Sequence, residues 1–379
     1  MPDITILDTG HVYRNPEPLR MKRNASFPTL VRLPNGELLC AMDIGASMDS
    51  LDRRSYLSRS TDGGVTWTEP VQMFEPPKSA HPTDASARIS RLPNGDLVGL
   101  VCLFDRRRTK AGHSNPDTEG FVETELAIIR SKDQGRIWSV PQPIHPPINW
   151  QHFEICSPFV VLPSGRLLAP TSILNDWDGD CRFPRYSAIL LASDDSGNTW
   201  PHVVSVMALS RENLTGWEQK QTILSDGRVM AVCWCFDHIQ KKSMRNRYTF
   251  SSDNGDSFLP SIESPIHGET NTILALPDNY LFSVYRRVDR QGLWAHLARV
   301  EGDHWKSLAD CPLWGKDVKS YQNDAPGAGV DGVWKRMRTL QFGCPTLVHL
   351  SEQEILTAFW GVEENDVSVI RWYRLRWTC

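Results

Sequence analysis

One short pattern recurs four times in this chain of 379 residues, and it constrains the fold more than any other feature. The pattern is Ser-x-Asp-x-Gly-x-x-aromatic, and its copies begin at Ser60, Ser131, Ser193 and Ser251. An Asp carboxylate accepts hydrogen bonds from the amides of a tight turn, and a glycine supplies the backbone angle that such a turn needs. Four copies, about one small structural unit apart, indicate a repeat architecture in which these Asp side chains are structural.

A second repeat alternates with the first. Six segments have an apolar run, a turn and another apolar run, which is typical of a hairpin of buried strands. They begin at Leu33, Leu92, Leu162, Leu224, Leu276 and Leu350. The first four are each followed by an Asp-containing turn, so the unit is two hairpins. Dividing 379 residues among six units gives about 63 each, enough for one propeller blade. We expect the alternating opening segment, residues 4–13, to pair with the last blade and close the ring.

The four Asp-containing turns resemble the Asp box of the sialidase superfamily. The resemblance covers nearly the whole chain, from about Ser26 to Trp377. It implies an all-β fold, a six-bladed β-propeller with four-stranded antiparallel blades, which would occupy residues 1–379 as a single domain. It also implies a sialidase-like glycoside hydrolase that acts on a carbohydrate. The fold is the more specific implication, because Asp boxes also occur in other glycosidases and in non-catalytic propellers.

Composition and charge exclude several other classes of function. The net charge is −4 and no basic run suits nucleic acid, while no apolar segment is long enough to span a membrane. The opening residues lack the pattern of a signal peptide, and Cys40, Cys102 and Cys233 fall in predicted buried strands. We therefore expect reduced thiols in a cytoplasmic protein. No Cys or His spacing matches a zinc site, and we expect no metal and no cofactor.

Carboxylates at the start of predicted inner strands are the candidates for catalysis. Inner strands converge on a central funnel, where an acidic side chain is costly unless it is used or paired. Four of these strands begin with one, namely Asp84, Glu154, Glu218 and Glu269. Glycoside hydrolysis needs one carboxyl group to protonate the leaving oxygen and another to stabilise or attack the developing oxocarbenium ion. The sequence therefore predicts catalytic roles for these residues.

The family resemblance adds roles to two acids. The segment that begins at Glu218, "EQKQTILSDGR", resembles the sialidase segment whose glutamate activates the nucleophile. The family's acid/base aspartate lies on a loop between the first hairpin and the first Asp box. In this chain that loop contains Asp43, Asp49 and Asp52, and Asp49 fits the family spacing. The resemblance thus implies Glu218 as catalytic base or nucleophile and Asp49 as acid/base.

Three positions depart from the sialidase pattern. Ser26-Phe27-Pro28 stands where the family has Arg-Ile-Pro, and Trp234 stands where a second carboxylate-binding arginine is expected. Cys344 lies at or near the position of the family's tyrosine nucleophile, and Tyr285 and Tyr321 are alternatives only if loops bring them to the site. The carboxylate of a sialic acid buried in the site needs arginines that neutralise its charge. We therefore predict that simple sialosides are poor substrates, and that a neutral sugar or a uronate is preferred.

Further candidates for substrate binding are aromatic, basic and histidine residues near the predicted rim. Tryptophan faces can stack on sugar rings, arginines can hold a uronate, and a histidine or tyrosine can act as the base of a lyase. The candidates are Arg23, Arg88, Arg287, Trp217, Trp234, His81, His152 and Tyr285. Two alternatives to hydrolysis therefore stay open, a polysaccharide lyase on the same scaffold and a non-catalytic glycan-binding propeller. Hydrolysis yields a new reducing end, elimination an unsaturated product, and a lectin neither.

Overall fold

The fold is an array of antiparallel sheets around a central funnel, which confirms the predicted six-bladed propeller. A computed structural model describes residues 1–16, 23–77, 81–110, 112–118, 120–155, 157–181, 188–237, 239–240, 242–315 and 340–379. These residues form six sheets, five with four strands and one with five, because the inner strand of the third blade is in two pieces. Within each sheet the strands follow one another in chain order, except where the ring closes.

The first three blades use strands β2 to β14. Blade one contains β2 (Asn24–Arg32), β3 (Leu38–Gly45), β4 (Arg54–Ser60) and β5 (Val71–Gln72). Blade two contains β6 (Thr83–Arg91), β7 (Leu97–Asp105), β8 (Thr124–Ser131) and β9 (Gln142–Pro143). Blade three contains β10 (Phe153–Glu154), β11 (Val160–Val161), β12 (Leu167–Ile173), β13 (Ala188–Ser193) and β14 (His202–Met207).

The last three blades use the remaining strands together with β1. Blade four contains β15 (Leu214–Ile223), β16 (Val229–Asp237), β17 (Lys242–Ser251) and β18 (Ile262–Glu263). Blade five contains β19 (Gly268–Ala275), β20 (Tyr280–Arg287), β21 (Leu293–Glu301) and β22 (His304–Trp314). Blade six contains β23 (Phe342–His349), β24 (Glu354–Glu363), β25 (Val367–Thr378) and β1 (Asp3–Arg14). Short 3₁₀ turns lie at Leu209–Glu212, Pro277–Asn279 and Glu364–Asp366.

Both ends of the chain meet in the sixth blade, as the opening segment predicted. Strand β1 pairs antiparallel with β25, from Asp3 opposite Thr378 to Arg14 opposite Val369. The Ser368 hydroxyl accepts a hydrogen bond from the Ala25 amide at 2.9 Å and so ties this sheet to the first blade. Pairing the first strand with the last removes the open edges that a linear array of blades would leave.

The second strand of each of the first four blades is buried along nearly its whole length. Each blade packs its faces against both neighbours, so these strands need apolar side chains on both sides and read as continuous apolar runs. One such layer, between the first two blades, contains Leu39, Leu57, Ile89 and Ile129. The core is therefore a series of layers between blades, and it surrounds the funnel. Among the described residues, no helix has both the length and the apolar character needed to cross a membrane.

The four Ser-x-Asp-x-Gly turns occupy equivalent places, after the third strand of their blades, and share one hydrogen-bond pattern. In the first copy, the Ser60 hydroxyl donates to Asp62 at 2.8 Å, and the Gly64 amide donates to Ser60. The Thr66 amide and hydroxyl also donate to Asp62, and these bonds lower the pKa of Asp62 to about 2. Gly64 has φ +95°, a conformation that favours glycine. The turns are structural features of the blades, as their sequence predicted.

Candidate functional site

Four inner strands break their pairing at the same place, and each break turns one side chain into the funnel. Strand β15 shifts register between Trp217 and Lys220, and Glu218 there has φ +47°. The equivalent residues of β2, β19 and β23 are Phe27 (φ 52°), Thr270 (φ 50°) and Cys344 (φ 47°). Non-glycine residues seldom adopt this backbone conformation, and it recurs at functional sites where the surrounding fold holds it. β-Bulges are also a common way to re-aim a side chain.

Two adjoining cavities lie where these side chains converge. The Asp49 cavity, about 360 Å³ in volume, is lined on its polar side by Asp49, Arg53, Arg88, His113 and Glu154. The smaller Glu218 cavity is lined by the four re-aimed side chains together with Trp234, Glu269 and Arg286. The two cavities share four apolar residues, Phe27, Met48, Leu340 and Trp360. Together they form one site, in which an apolar wall separates two groups of acids.

Glu218 is held by neutral groups. Its Oε2 accepts a hydrogen bond from the Trp234 indole at 3.0 Å, and its Oε1 lies 3.8 Å from the Cys344 sulfur. The Trp217 ring stacks on Trp234 from behind, with ring centres 5.5 Å apart. Within the described part of the chain, Glu218 has no ion-pair partner, although only 9% of it is exposed. A mostly buried carboxylate without a counter-charge is expected at a site that uses it.

Cys344 is a poor nucleophile in this position. Burial, reinforced by the neighbouring Glu218 carboxylate, raises the pKa of the Cys344 thiol to about 12. The reactive form of cysteine is the thiolate, which is scarce near neutral pH at such a pKa. Cys344 does occupy the funnel, where the resemblance places the family's tyrosine, but its chemistry differs. The acid next to it, Glu218, is the stronger candidate for catalysis.

Asp49 lies on the loop between β3 and β4, partly buried at the edge of its cavity. Two arginines hold this loop by its backbone: Arg53 donates to the Met48 carbonyl at 3.0 Å, and Arg106 donates to the Asp49 carbonyl at 2.9 Å. The Asp49 side chain accepts a hydrogen bond from Ser47 at 3.4 Å. Within the described residues it has no ion pair, so the loop is anchored while the carboxylate faces the cavity.

Asp84, predicted as catalytic, is instead the centre of a buried ion network. It is 0% exposed and accepts bonds from Arg53 at 2.7 Å and Arg106 at 2.5 Å, while the His113 ring lies 3.0 Å away. Burial alone would raise the pKa of Asp84, but Arg53, His113 and Arg106 outweigh it and lower that pKa to about 2. The same arginines hold the Asp49 loop. The geometry therefore gives Asp84 a structural role beneath the site.

The other cations at the site are paired in the same way. Arg286 donates to Glu269 at 2.7 Å, and both are buried. Arg88 lies 3.3 Å from Asp43 and donates to the Ser86 hydroxyl, and its guanidinium sits 5.0 Å from the centre of the Phe27 ring. Glu269 is therefore neutralised by a buried arginine, as Asp84 is, whereas Glu218 is not. Glu154, on β10, lines the Asp49 cavity as predicted for a rim acid.

Six predicted binding residues lie outside the two cavities. Arg23 and His81 are exposed, and Arg287, at the end of β20, pairs with Asp289 and Asp310. The His152 ring is hydrogen-bonded to the Phe121 carbonyl. Trp217 and Tyr285 are buried in the core, where burial raises the pKa of Tyr285. His152 instead lines a separate cavity of about 320 Å³ with Trp177, and contact of any of the six with a substrate stays a prediction. The segment 315–338, which contains Tyr321, is long, Gly-rich and Pro-bearing, and the sequence therefore predicts a functional loop there. All of it except Gly315 lies outside the described residues.

Sequence reasoning missed Arg53, Arg106, Thr270 and Trp360. Thr270 follows the predicted acid Glu269 in the sequence. What distinguishes Thr270 is its backbone φ of +50°, which cannot be read from a residue pattern. Arg106 belongs to the densest cationic stretch, "DRRRTK", which reads as a solvated turn. Trp360 lies on the second strand of the last blade and reads as core. Arg53 and Arg106 become part of the site through contacts between the first two blades, Arg53 with Asp84 and Arg106 with the Asp49 carbonyl.

Comparisons with known proteins agree with this architecture. The BNR repeat-like domain family matches residues 102–313. A Dyadobacter fermentans protein of unknown function has a similar structure, with TM-score 0.75 and 19% identity over 99% of this chain and 100% of that one. An α-L-arabinanase from Penicillium chrysogenum, complexed with arabinobiose, has TM-score 0.67 and 17% identity over 97% and 98%.

A variant of the NanB sialidase from Streptococcus pneumoniae is similar as well, with TM-score 0.66 and 14% identity over 96% of this chain and 70% of that one. A search of curated proteins by sequence finds no match. At these identities the structural likeness shows the fold, a propeller found in both sialidases and arabinanases. Since the matched region spans more than half of the sequence, the chain belongs to the BNR repeat-like domain family.

Proposed function

We propose that this protein is a glycoside hydrolase that cleaves a sugar from the terminus of a glycan, with Glu218 and Asp49 as its reacting carboxylates. The observation that carries the proposal is the position of Glu218, which is turned into the funnel by a bulge and held by neutral hydrogen-bond partners. Asp49 supplies the second carboxylate across the shared apolar wall. Two such groups are what glycosidic cleavage requires.

The roles follow from the surroundings of each acid. Asp49, at the edge of the larger cavity, protonates the leaving oxygen. Glu218 attacks the anomeric carbon or activates the attacking water, since the Cys344 thiol beside it is protonated near neutral pH. Trp234 donates to Glu218 and fixes the direction of its carboxylate. The fold that this chain shares with sialidases and arabinanases supports the same reaction class.

The size of the site favours a terminal sugar. Ligand sites commonly enclose about 300–1,000 Å³. The Asp49 cavity, at about 360 Å³, is near the lower end of that range and suits one or two sugar units. Arg53, Arg88 and Arg286 are each paired with a buried carboxylate, which supports the prediction that sialosides are poor substrates.

The test is a panel of methylumbelliferyl glycosides and glycans, which includes α-L-arabinosides, neutral hexosides, uronides and a sialoside. Products are assayed for new reducing ends and for ultraviolet absorption. We expect new reducing ends, and the configuration of the first-formed anomer shows whether Glu218 attacks the sugar or activates water. Unsaturated products would support the lyase instead, and tight binding without turnover would support a lectin. Efficient cleavage of the sialoside would overturn the substrate preference.

A further inference from the structure

Two buried polar groups beside Glu218 have no hydrogen-bond partner among the described residues. One is the indole Nε1 of Trp360, a residue that is 3% exposed and lines both cavities. The other is the Oγ1 hydroxyl of Thr270, a residue that is 4% exposed and lines the Glu218 cavity. A buried donor without a partner is costly, and such groups are rare in native proteins. Because both groups lie at a cavity wall, a ligand in the cavity can satisfy them.

Location distinguishes Trp360 from other indoles. Trp372 and Trp377 also bury an Nε1 that lacks a partner among the described residues, but neither lines a cavity of the site. Trp360 pairs with Gly343, which carries no side chain. A Cβ at Gly343 would lie 3.5 Å from the Trp360 Nε1 and 3.6 Å from the Thr270 Cγ2. The Arg286 Nη1 would lie only 2.8 Å from that Cβ, so the glycine lets Arg286, Trp360 and Thr270 pack closely around one position at the cavity wall.

The backbone at Thr270 supports a functional reason for its position. Thr270 has φ +50°, and a β-branched residue is a genuine outlier in that region. The bulge in β19 turns its side chain to the cavity that Glu218 also lines. Strain of this kind persists where the fold enforces it, and it clusters at ligand sites.

The chemistry of the two groups selects the ligand. An indole N–H only donates, whereas a threonine hydroxyl both donates and accepts. A sugar hydroxyl can accept from the first and exchange a hydrogen bond with the second. A carboxylate would meet the Glu218 and Glu269 carboxylates nearby. Arg286, the one arginine among the described residues that line the Glu218 cavity, is already paired with Glu269.

We propose that Trp360 Nε1 and Thr270 Oγ1 bind one hydroxyl group of an uncharged sugar unit held against Glu218. The inference rests on the proposed function in taking Glu218 as the reacting acid, and it names the substrate class of that site. It assigns Trp360 and Thr270 to substrate binding and specificity.

The experiment measures sugar binding by calorimetry in the Glu218→Gln protein, which does not consume a substrate. The probes are arabinobiose, cellobiose and lactose, with sialyllactose as the anionic comparison. Trp360→Phe and Thr270→Val each remove one polar atom and keep the shape of the side chain. We expect a neutral disaccharide to bind and each change to weaken its binding about 10- to 100-fold, because one hydrogen bond to the ligand is lost. The matched control, Trp372→Phe, makes the same change outside the cavities and leaves binding unchanged.

Two further readouts separate this role from a structural one. Replacing an unsatisfied buried group by an apolar one of the same shape should leave Tm unchanged or raise it. A monodeoxy form of the bound sugar that lacks the recognised hydroxyl should bind all variants equally. Three outcomes would overturn the proposal: all variants bind the parent sugar equally, only sialyllactose binds, or no neutral disaccharide binds. If binding depends on these residues but no glycoside is hydrolysed, the hydroxyl site stands and the proposed reaction fails.

Discussion

Strands β6 and β15 each contain an acidic residue, but the two acids have different roles. Both are inner strands that bring a carboxylate to the funnel, Asp84 and Glu218. Strand β6 pairs with β7 in unbroken register from Thr83 to Arg91, and Asp84 is enclosed by Arg53, Arg106 and His113. Strand β15 breaks its register at Glu218, which is held by an indole and a thiol. A regular strand with cations around its acid builds the scaffold, and a bulged strand with neutral partners presents its acid to a ligand.

The largest effect is expected from Asp84→Asn. This change leaves two buried arginines without their counter-charge, and breaking a buried ion network from one side costs about 3–5 kcal/mol. We expect the free energy of unfolding, measured by urea titration, to fall by this amount. Asp49→Asn, in the loop above the network, serves as the control and should change stability little. An Asp84→Asn protein as stable as wild type would remove the distinction between the two strands.

Glu218→Gln should reverse that pattern, with a large loss of activity and little loss of stability. Removal of a general acid or base lowers turnover about 100- to 10,000-fold. The glutamine keeps the shape and can still accept the hydrogen bond from Trp234, so Tm should stay close to the wild-type value. Hydrolysis rates on the best glycoside of the panel, with Tm by calorimetry, check this. If the Glu218→Gln protein keeps full activity, or if it unfolds, Glu218 is a structural acid like Asp84.

The pH dependence of stability should also separate the two strands. The folded-state pKa of Asp84 is about 2, below its ordinary value of 3.8. Its contribution to stability is therefore present above about pH 4 and is lost as the pH falls toward 2. We expect the stability difference between wild type and Asp84→Asn to shrink over that window. Urea midpoints at a series of pH values measure it, and a constant difference would show that Asp84 is not ionised in its network.

The smallest effect is expected from Asp62→Asn in the first Asp-containing turn. Asp62 has a pKa of about 2, like Asp84, but it is exposed and receives hydrogen bonds from its own turn. Solvent replaces much of what is lost at an exposed site, so Tm should fall by only about 1–2 °C, which corresponds to roughly one hydrogen bond in a chain of this length. Activity should not change. A drop as large as that of Asp84→Asn would mean that burial is not what distinguishes these two acids.

The sequence predicted many of the acids near the site, but not which of them face the cavities and which are neutralised by arginines. Glu218, Asp49 and Glu154 line the cavities, while Asp84 and Glu269 are paired with arginines from outside their own strands. A residue pattern shows that an acid begins an inner strand, but not which cation reaches it. Arg53 lies 31 residues from Asp84 in the chain, and Arg286 lies 17 residues from Glu269. Likewise, Arg287, predicted to bind an anion, is held by Asp289 and Asp310.

The sequence by itself determined the six blades, because each turn and hairpin is specified locally by its own residues and repeats along the chain. It also determined the closure of the ring, since an alternating first strand needs a partner and the last blade offers one. Only the tertiary structure decided which residues form the site. The backbone angles of Phe27, Glu218, Thr270 and Cys344 depend on register breaks between paired strands. The Arg53–Asp84 and Arg88–Asp43 ion pairs depend on contacts between blades. These are long-range properties, which no local pattern encodes.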